Sequence, residues 1–188
     1  MSRPSECNQN GFSQSACGFV VEFTDIIAIH NMNSTYINKG GWLESQMKTF
    51  IDNDIYNSLP EELRNVIIDT KTVSGHGKED TNNITSPEDK LDKLYLLAPK
   101  EIYSDRSSQY DTAKNKTRQL DYYKNIGVTT GNYGGAIKKN NGSDDWWWLR
   151  SASSNTTNGF YSVDPAGSGG VSGADSTLLG VSPAFRIG

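Results

Sequence analysis

Apolar positions follow a helical spacing in the first half of this chain and a strand spacing in its last third. Phe19 to Ile29 is β-branched and aromatic and predicts a first strand, interrupted by Glu22, Thr24 and Asp25. Asn31 to Gly41 ends in two glycines and reads as a loop. From Trp42 to Asn53 the residues Leu43, Met47, Phe50 and Ile51 fall on one helical face. Ser58-Leu59-Pro60-Glu61 predicts a second short helix through Leu63 and Val66, with Ser58 as its cap, Glu61 reaching back and Pro60 in the first turn. Val66 to Val73 predicts a strand, Ser74 to Pro87 an exposed loop, and Lys93 to Ala98 a buried strand followed by a proline-started turn of helix at Pro99 to Tyr103. Thr112 to Tyr123 is a short helix or ordered loop, and Asn140-Asn141-Gly142 marks a turn. Beyond Asp145 the helical spacing is lost, and Trp146 to Ser151, Gly159 to Val163 and Pro183 to Ile187 predict strands joined by glycine-rich turns. Helices early and short strands late, with no internal repeat, predict an α+β domain over residues 18–188 behind a polar arm at 1–17.

Two apolar, arginine-bearing blocks, W-W-W-L-R-S at Trp146 to Ser151 and G-V-S-P-A-F-R-I-G at Gly180 to Gly188, bracket a segment of different composition. From Ala152 to Leu179 there is no Lys, Glu, Gln, Met or Trp, types that fill roughly a fifth of the chain before it. Randomising the adenines of an AAC codon gives NNC, which encodes every amino acid except those five. Either the segment has been rewritten at adenines, or it is a Gly/Ser/Asn-rich run of hairpin turns that avoids long side chains for structural reasons.

The 188 residues suit one domain with a real core, and four Trp, nine Tyr and six Phe are available to fill it. A net charge of -4, with basic residues scattered among acidic ones, gives no electrostatic footprint for nucleic acid. There is no apolar run long enough to insert in a membrane, and Met1-Ser2-Arg3-Pro4 leads into polar residues rather than a signal-peptide core. Cys7 and Cys17 either close a small disulfide loop or are incidental thiols. The Asn-x-Ser/Thr sequons at Asn33, Asn83, Asn115, Asn141 and Asn155 are what so Asn- and Ser-rich a chain generates by itself.

No pattern of residues announces an enzyme. His76, with Asp69, Glu79 and Asp80 nearby in sequence, lacks a metal-ligand spacing and reads as a solvated loop histidine; His30 has no catalytic neighbours in sequence. No serine sits in a nucleophile elbow, and neither Gly40-Gly41 nor Gly134-Gly135 opens a phosphate-binding motif. No cofactor is implied. Arg150 and Arg186 stand out because each interrupts an apolar strand. A buried guanidinium needs a carboxylate or several carbonyls, with Glu22, Asp25 or Asp145 as partner, or else the two arginines capture an anion. Of the Trp triplet, alternation places neighbours on opposite faces, so at least one ring is a candidate for exposure.

The blocks W-W-L-R-S at Trp147 to Ser151, F-Y-S-V at Phe160 to Val163 and G-V-S-P-A-F-R-I at Gly180 to Ile187 resemble an uncharacterised domain family of gut bacteria and their phages. Gly41-Trp42, Asn57 to Leu63 (N-S-L-P-E-E-L) and Lys93 to Leu97 (K-L-Y-L-L) extend the likeness over residues 19–188. Some members resemble variable proteins of diversity-generating retroelements, which display a rewritten C-terminal cassette on a C-type-lectin fold of the formylglycine-generating-enzyme type. That resemblance implies short helices early, small antiparallel sheets late, and a variable region at about 152–179. It further implies a non-catalytic domain that binds a protein or glycan on a cell surface, from a virion or a bacterial surface, the alternative being a non-diversified adhesive or structural module. The contact set it implies is Ser153, Asn155, Thr156, Asn158, Phe160, Tyr161, Asp164, Ser168, Val171, Asp175 and Ser176. The enzyme of that fold uses cysteines, and none follows Cys17; the E-P-N cluster of calcium-dependent lectins is likewise missing.

Overall fold

The computed structural model describes residues 18–80, 91–106 and 108–188. Cys7, Cys17, the arm at 1–17 and the Asn83 sequon lie outside the described residues. The fold is mixed α+β, with short helices in the first two thirds and most strand residues in the last third. The helices are α1 (Gln46–Phe50), α2 (Tyr56–Ser58), α3 (Glu61–Val66), α4 (Pro99–Ile102) and α5 (Asp121–Asn125). The strands are β1 (Phe19–Glu22), β2 (Ala28–Ile29), β3 (Ile67–Ile68), β4 (Leu94–Tyr95), β5 (Lys138–Asn140), β6 (Ser143–Asp145), β7 (Trp147–Ala152), β8 (Gly159–Val163), β9 (Gly169–Gly173), β10 (Gly180–Val181) and β11 (Ala184–Ile187).

The first amphipathic segment becomes helical only at Gln46, where the Ser45 hydroxyl accepts from the Lys48 amide at 3.1 Å. A π-helical turn at Ile51–Ile55 joins α1 to α2. Ser58 does not cap the next helix, because its hydroxyl donates back to the Ile55 carbonyl at 2.7 Å; Pro60 itself stands at the cap of α3. The strand expected over Val66 to Val73 shortens to β3 plus a bridge between Thr70 and Asp92. Pro99 does start α4, where the Glu101 carboxylate accepts from the Ala98 amide at 2.8 Å.

Strand β11 is the spine of one sheet. It pairs antiparallel with β1 along one edge and with β3 and β4 along the other. The second sheet runs β2-β10-β7-β8-β9 and is antiparallel except at one step, since β10 lies parallel to β7 with Gly180 opposite Trp147. The expectation of purely antiparallel sheets is corrected there. A separate hairpin joins β5 to β6 through Asn141 (φ 50°) and Gly142 (φ 87°), the two successive positive φ values that a tight hairpin turn requires.

Both faces of β7 are covered, so alternation does not expose one of its tryptophans. Trp147 and Trp148 are both fully buried, their ring N–H groups donating to the Ala136 carbonyl at 3.1 Å and the His30 carbonyl at 2.8 Å. Trp146, just before the strand, is 40% exposed. Asp92, wholly buried, accepts from the Trp42 ring at 3.1 Å, from Thr72 and from Lys48, and so ties the region of α1 to the sheets.

Candidate functional site

Arg150 is buried on β7, and all five of its donor hydrogens have acceptors. Nη1 and Nη2 fork onto the two oxygens of Glu101 at 2.6 and 2.7 Å, Nη1 also reaches the Leu96 carbonyl at 2.8 Å, and Nε and Nη2 share the Val73 carbonyl at 3.2 and 3.1 Å. Burial works against its charge, but the adjoining Glu101 outweighs that and leaves the guanidinium pKa raised. The partner is therefore Glu101, not Glu22, Asp25 or Asp145, and no donor remains for an external anion. An open cleft of about 1500 Å³ lies over this corner, bounded by β1, residues 70–73 and residues 115–123. Its other basic groups include Lys138, which is buried, ion-paired with Glu22 at 3.4 Å, and lowered in pKa by that burial. Arg186 sits beside the Tyr95 hydroxyl, whose own pKa is pushed up to about 12 chiefly by burial.

His76 is not a solvated loop residue. Residues 74–77 pack inward, with the Ala152 amide donating to the Gly75 carbonyl at 3.2 Å, and the His76 ring meets the Asp80 carboxylate at 2.9 Å. Among the described residues no three His, Cys, Asp or Glu side chains converge as metal ligands, and no helix is long and apolar enough to cross a membrane.

The eleven residues of the expected contact set separate into three groups. Ser153, Phe160 and Tyr161 are at most 2% exposed and belong to the core, which corrects their assignment to a surface. β8 carries no alternation because both its faces are covered, so its aromatic residues point into packing on either side. Asp164 and Ser168 lie at the far turn of the β8–β9 hairpin, where the Asp164 carboxylate accepts from the Ala166 and Ser168 amides at 3.0 and 2.8 Å. Asn155, Thr156, Asn158, Val171, Asp175 and Ser176 gather around the near end and β9, half-buried to exposed. The two ends are about 13 Å apart along the strand.

At the near end Gly159 pairs with Gly173, and the missing side chains make room for neighbours. A Cβ on Gly159 would meet Val171 Cγ1 at 2.5 Å and Thr156 Oγ1 at 2.8 Å; one on Gly173 would meet the Tyr36 ring at 2.4 Å and Asp175 Oδ1 at 3.3 Å. Tyr36 (57% exposed) and Asp175 therefore stand side by side, next to Val171 and Thr156. Tyr110, 39% exposed, flanks the same turn through its carbonyl, which accepts from the Ser154 amide at 2.9 Å.

The turn at 153–159 is held largely by its backbone, and by residues outside the Ala152 to Leu179 segment. One buried amide, Asn38 Nδ2, donates to the carbonyls of Ser153, Thr156 and Gly159 at 3.1, 3.0 and 2.8 Å. The Asn38 and Lys78 amides donate to the Thr157 and Thr156 carbonyls at 2.8 and 3.2 Å, and Asn33 N–H to the Ala174 carbonyl at 2.9 Å. Farther along, the Tyr103 hydroxyl donates to the Gly167 carbonyl at 2.6 Å. None of these contacts depends on which side chain the segment carries. Sequence reasoning missed Asn38, Tyr36 and Tyr110, for each sits in a polar loop whose role is set only by folding.

A family model described as a domain of unknown function, DUF6273, matches residues 20–188, and the chain belongs to that family. No curated protein and no solved structure matches it.

Proposed function

We propose that the chain is a non-catalytic, ligand-binding display domain of C-type-lectin-like architecture, whose segment 152–179 is diversified by adenine mutagenesis to meet variable ligands on a cell surface. The carrying observation is the bracing of the 153–159 turn through its carbonyls by Asn38, which holds the turn independently of side chains such as Asn155 and Asn158, while the Thr156 hydroxyl adds one bond of its own to the Gly159 amide. The composition of the segment supports the same reading, as do the small and amide side chains around Tyr36 and Tyr110, a mixture suited to adaptable recognition. A phage tip or a bacterial surface is where such a domain would act. The contact set reduces to Asn155, Thr156, Asn158, Val171, Asp175 and Ser176, with Tyr36 and Tyr110 as fixed flanks.

Sequencing the locus tests this. The expected finding is a nearby reverse transcriptase and a near-copy of the segment differing at adenines; their absence would sink the diversification. The burial of Ser153, Phe160 and Tyr161 inside the segment favours a second reading, a non-diversified adhesive module. Clones from one population separate the two. Diversification predicts replacements clustered at the exposed positions, and the module predicts scattered, mostly silent differences.

A further inference from the structure

The binding end of the molecule carries an open sheet edge. β9 is the last strand of its sheet, pairing with β8 on one side only. The Asp164 amide donates to the Ser168 carbonyl and the Ala174 amide to the Asn158 carbonyl, one at each end of the hairpin. By the alternation of antiparallel pairs, the N–H and C=O groups of Gly169, Val171 and Gly173 then point away from β8. The Gly173 carbonyl accepts from the Ser176 amide and the Gly169 carbonyl takes a long 3.5 Å bond from Arg106, which leaves both backbone groups of Val171 without a partner among the described residues. Its sequence, G-G-V-S-G, contains no lysine or proline, the residues that usually blunt such an edge.

Arg106 supplies the chemical bias. Its guanidinium lies over the Tyr161 ring at 5.3 Å and reaches the Gly169 carbonyl, and among the described residues it forms no ion pair. Asp111 is near enough to influence it but is buried, and burial raises its carboxyl pKa, which weakens it as a counter-ion. Where Arg150 has every donor committed, Arg106 gives Nη1 to the Gly169 carbonyl and has Nε buried without a partner among the described residues, which leaves the outer end of its guanidinium for a carboxylate.

Resting on the display reading above, we propose that β9 receives an extended, acidic segment of a partner protein as an added antiparallel or parallel strand. The segment's backbone pairs with Val171, an acidic side chain sits on Arg106 at the Gly169 end, and the Tyr36 ring closes the Gly173 end. Main-chain pairing supplies attachment that survives re-lettering of the segment short of proline or a side chain at Gly159 or Gly173, and the surrounding side chains supply discrimination.

The test uses the whole chain and two fluorescein-labelled pentapeptides, Glu-Val-Glu-Val-Glu and Lys-Val-Lys-Val-Lys, read by fluorescence anisotropy. The acidic peptide is expected to bind about tenfold or more tightly than the lysine peptide, and Arg106→Gln to erase that difference. Val171→Pro removes an outward N–H at an edge position that tolerates proline, so it should abolish binding with the thermal midpoint nearly unchanged. The acidic peptide N-methylated at alternate residues should not bind the wild-type chain, a readout independent of any variant. Equal binding of both peptides, no binding of the acidic one, undiminished binding of the methylated one, or a chain dimer that Val171→Pro dissociates each overturns the proposal. A locus without a template copy removes diversification yet leaves these outcomes standing, so the two failures are distinguishable.

Discussion

β8 and β9 are the two legs of one hairpin and both fall in the segment without Lys, Glu, Gln, Met or Trp, yet they do opposite work. β8 is buried along its whole length, with Phe160 and Tyr161 facing opposite sides and both in the core. β9 has Val171 46% exposed and, among the described residues, one edge without a partner strand. Composition alone therefore does not mark a surface. What separates the legs is position, since β8 lies between two strands and β9 ends the sheet.

That contrast is breakable. The largest effect is expected from Phe160→Ala, about 3–5 kcal/mol of stability by chemical denaturation, because it empties a fully enclosed site. Arg150→Met should cost about 3 kcal/mol or more, since it strands the Glu101 carboxylate and the Val73 and Leu96 carbonyls; a destabilisation near zero would show that these groups do not depend on Arg150. Asn38→Ala should cost about 1–3 kcal/mol and raise amide exchange selectively in residues 153–159. Exchange rising equally throughout would argue against a local brace.

A subtler test concerns Asp111, which lies behind Tyr161. Burial raises its folded-state pKa above the ordinary 3.8, so the native state holds its proton longer than the unfolded chain does. Wild-type stability should therefore fall, relative to Asp111→Asn, as pH rises from the ordinary 3.8 through the raised folded pKa, with the loss complete above it. A difference that does not vary with pH would place the carboxyl in water. The smallest effects belong to β9 and its turn. Val171→Thr and Asn155→Ala should each stay within about 0.5 kcal/mol, and a much larger loss at either would erase the distinction between the legs.

Much of the frame was legible before folding. The Trp147–Ala152, Gly159–Val163 and Ala184–Ile187 strands, the proline-started α4 and the Asn141-Gly142 turn all follow from local pattern. The partners were not. Glu101 reaches Arg150 from a helix 49 residues away, a choice made by the packing of α4 against β7 and invisible in spacing. His76 reads as solvated because its neighbours are Gly, Lys and Glu, yet the loop folds inward against Ala152. The resemblance to a diversified cassette puts Phe160 and Tyr161 on the binding face because they fall inside the segment; a strand covered on both faces loses the period that would say otherwise.

The parallel step between β10 and β7 has one more consequence. Because Gly180 lies opposite Trp147, the chain that turns back from Ala152 through β8 and β9 re-enters the sheet at the other end of β7, on the edge away from β8. The connections can lengthen while β8 and β9 hold their places, and closing a longer one costs only about 0.6 kcal/mol for each doubling. Relatives should therefore differ in length in those connections, most freely at 174–179, and keep β8, whose Phe160 and Tyr161 are core.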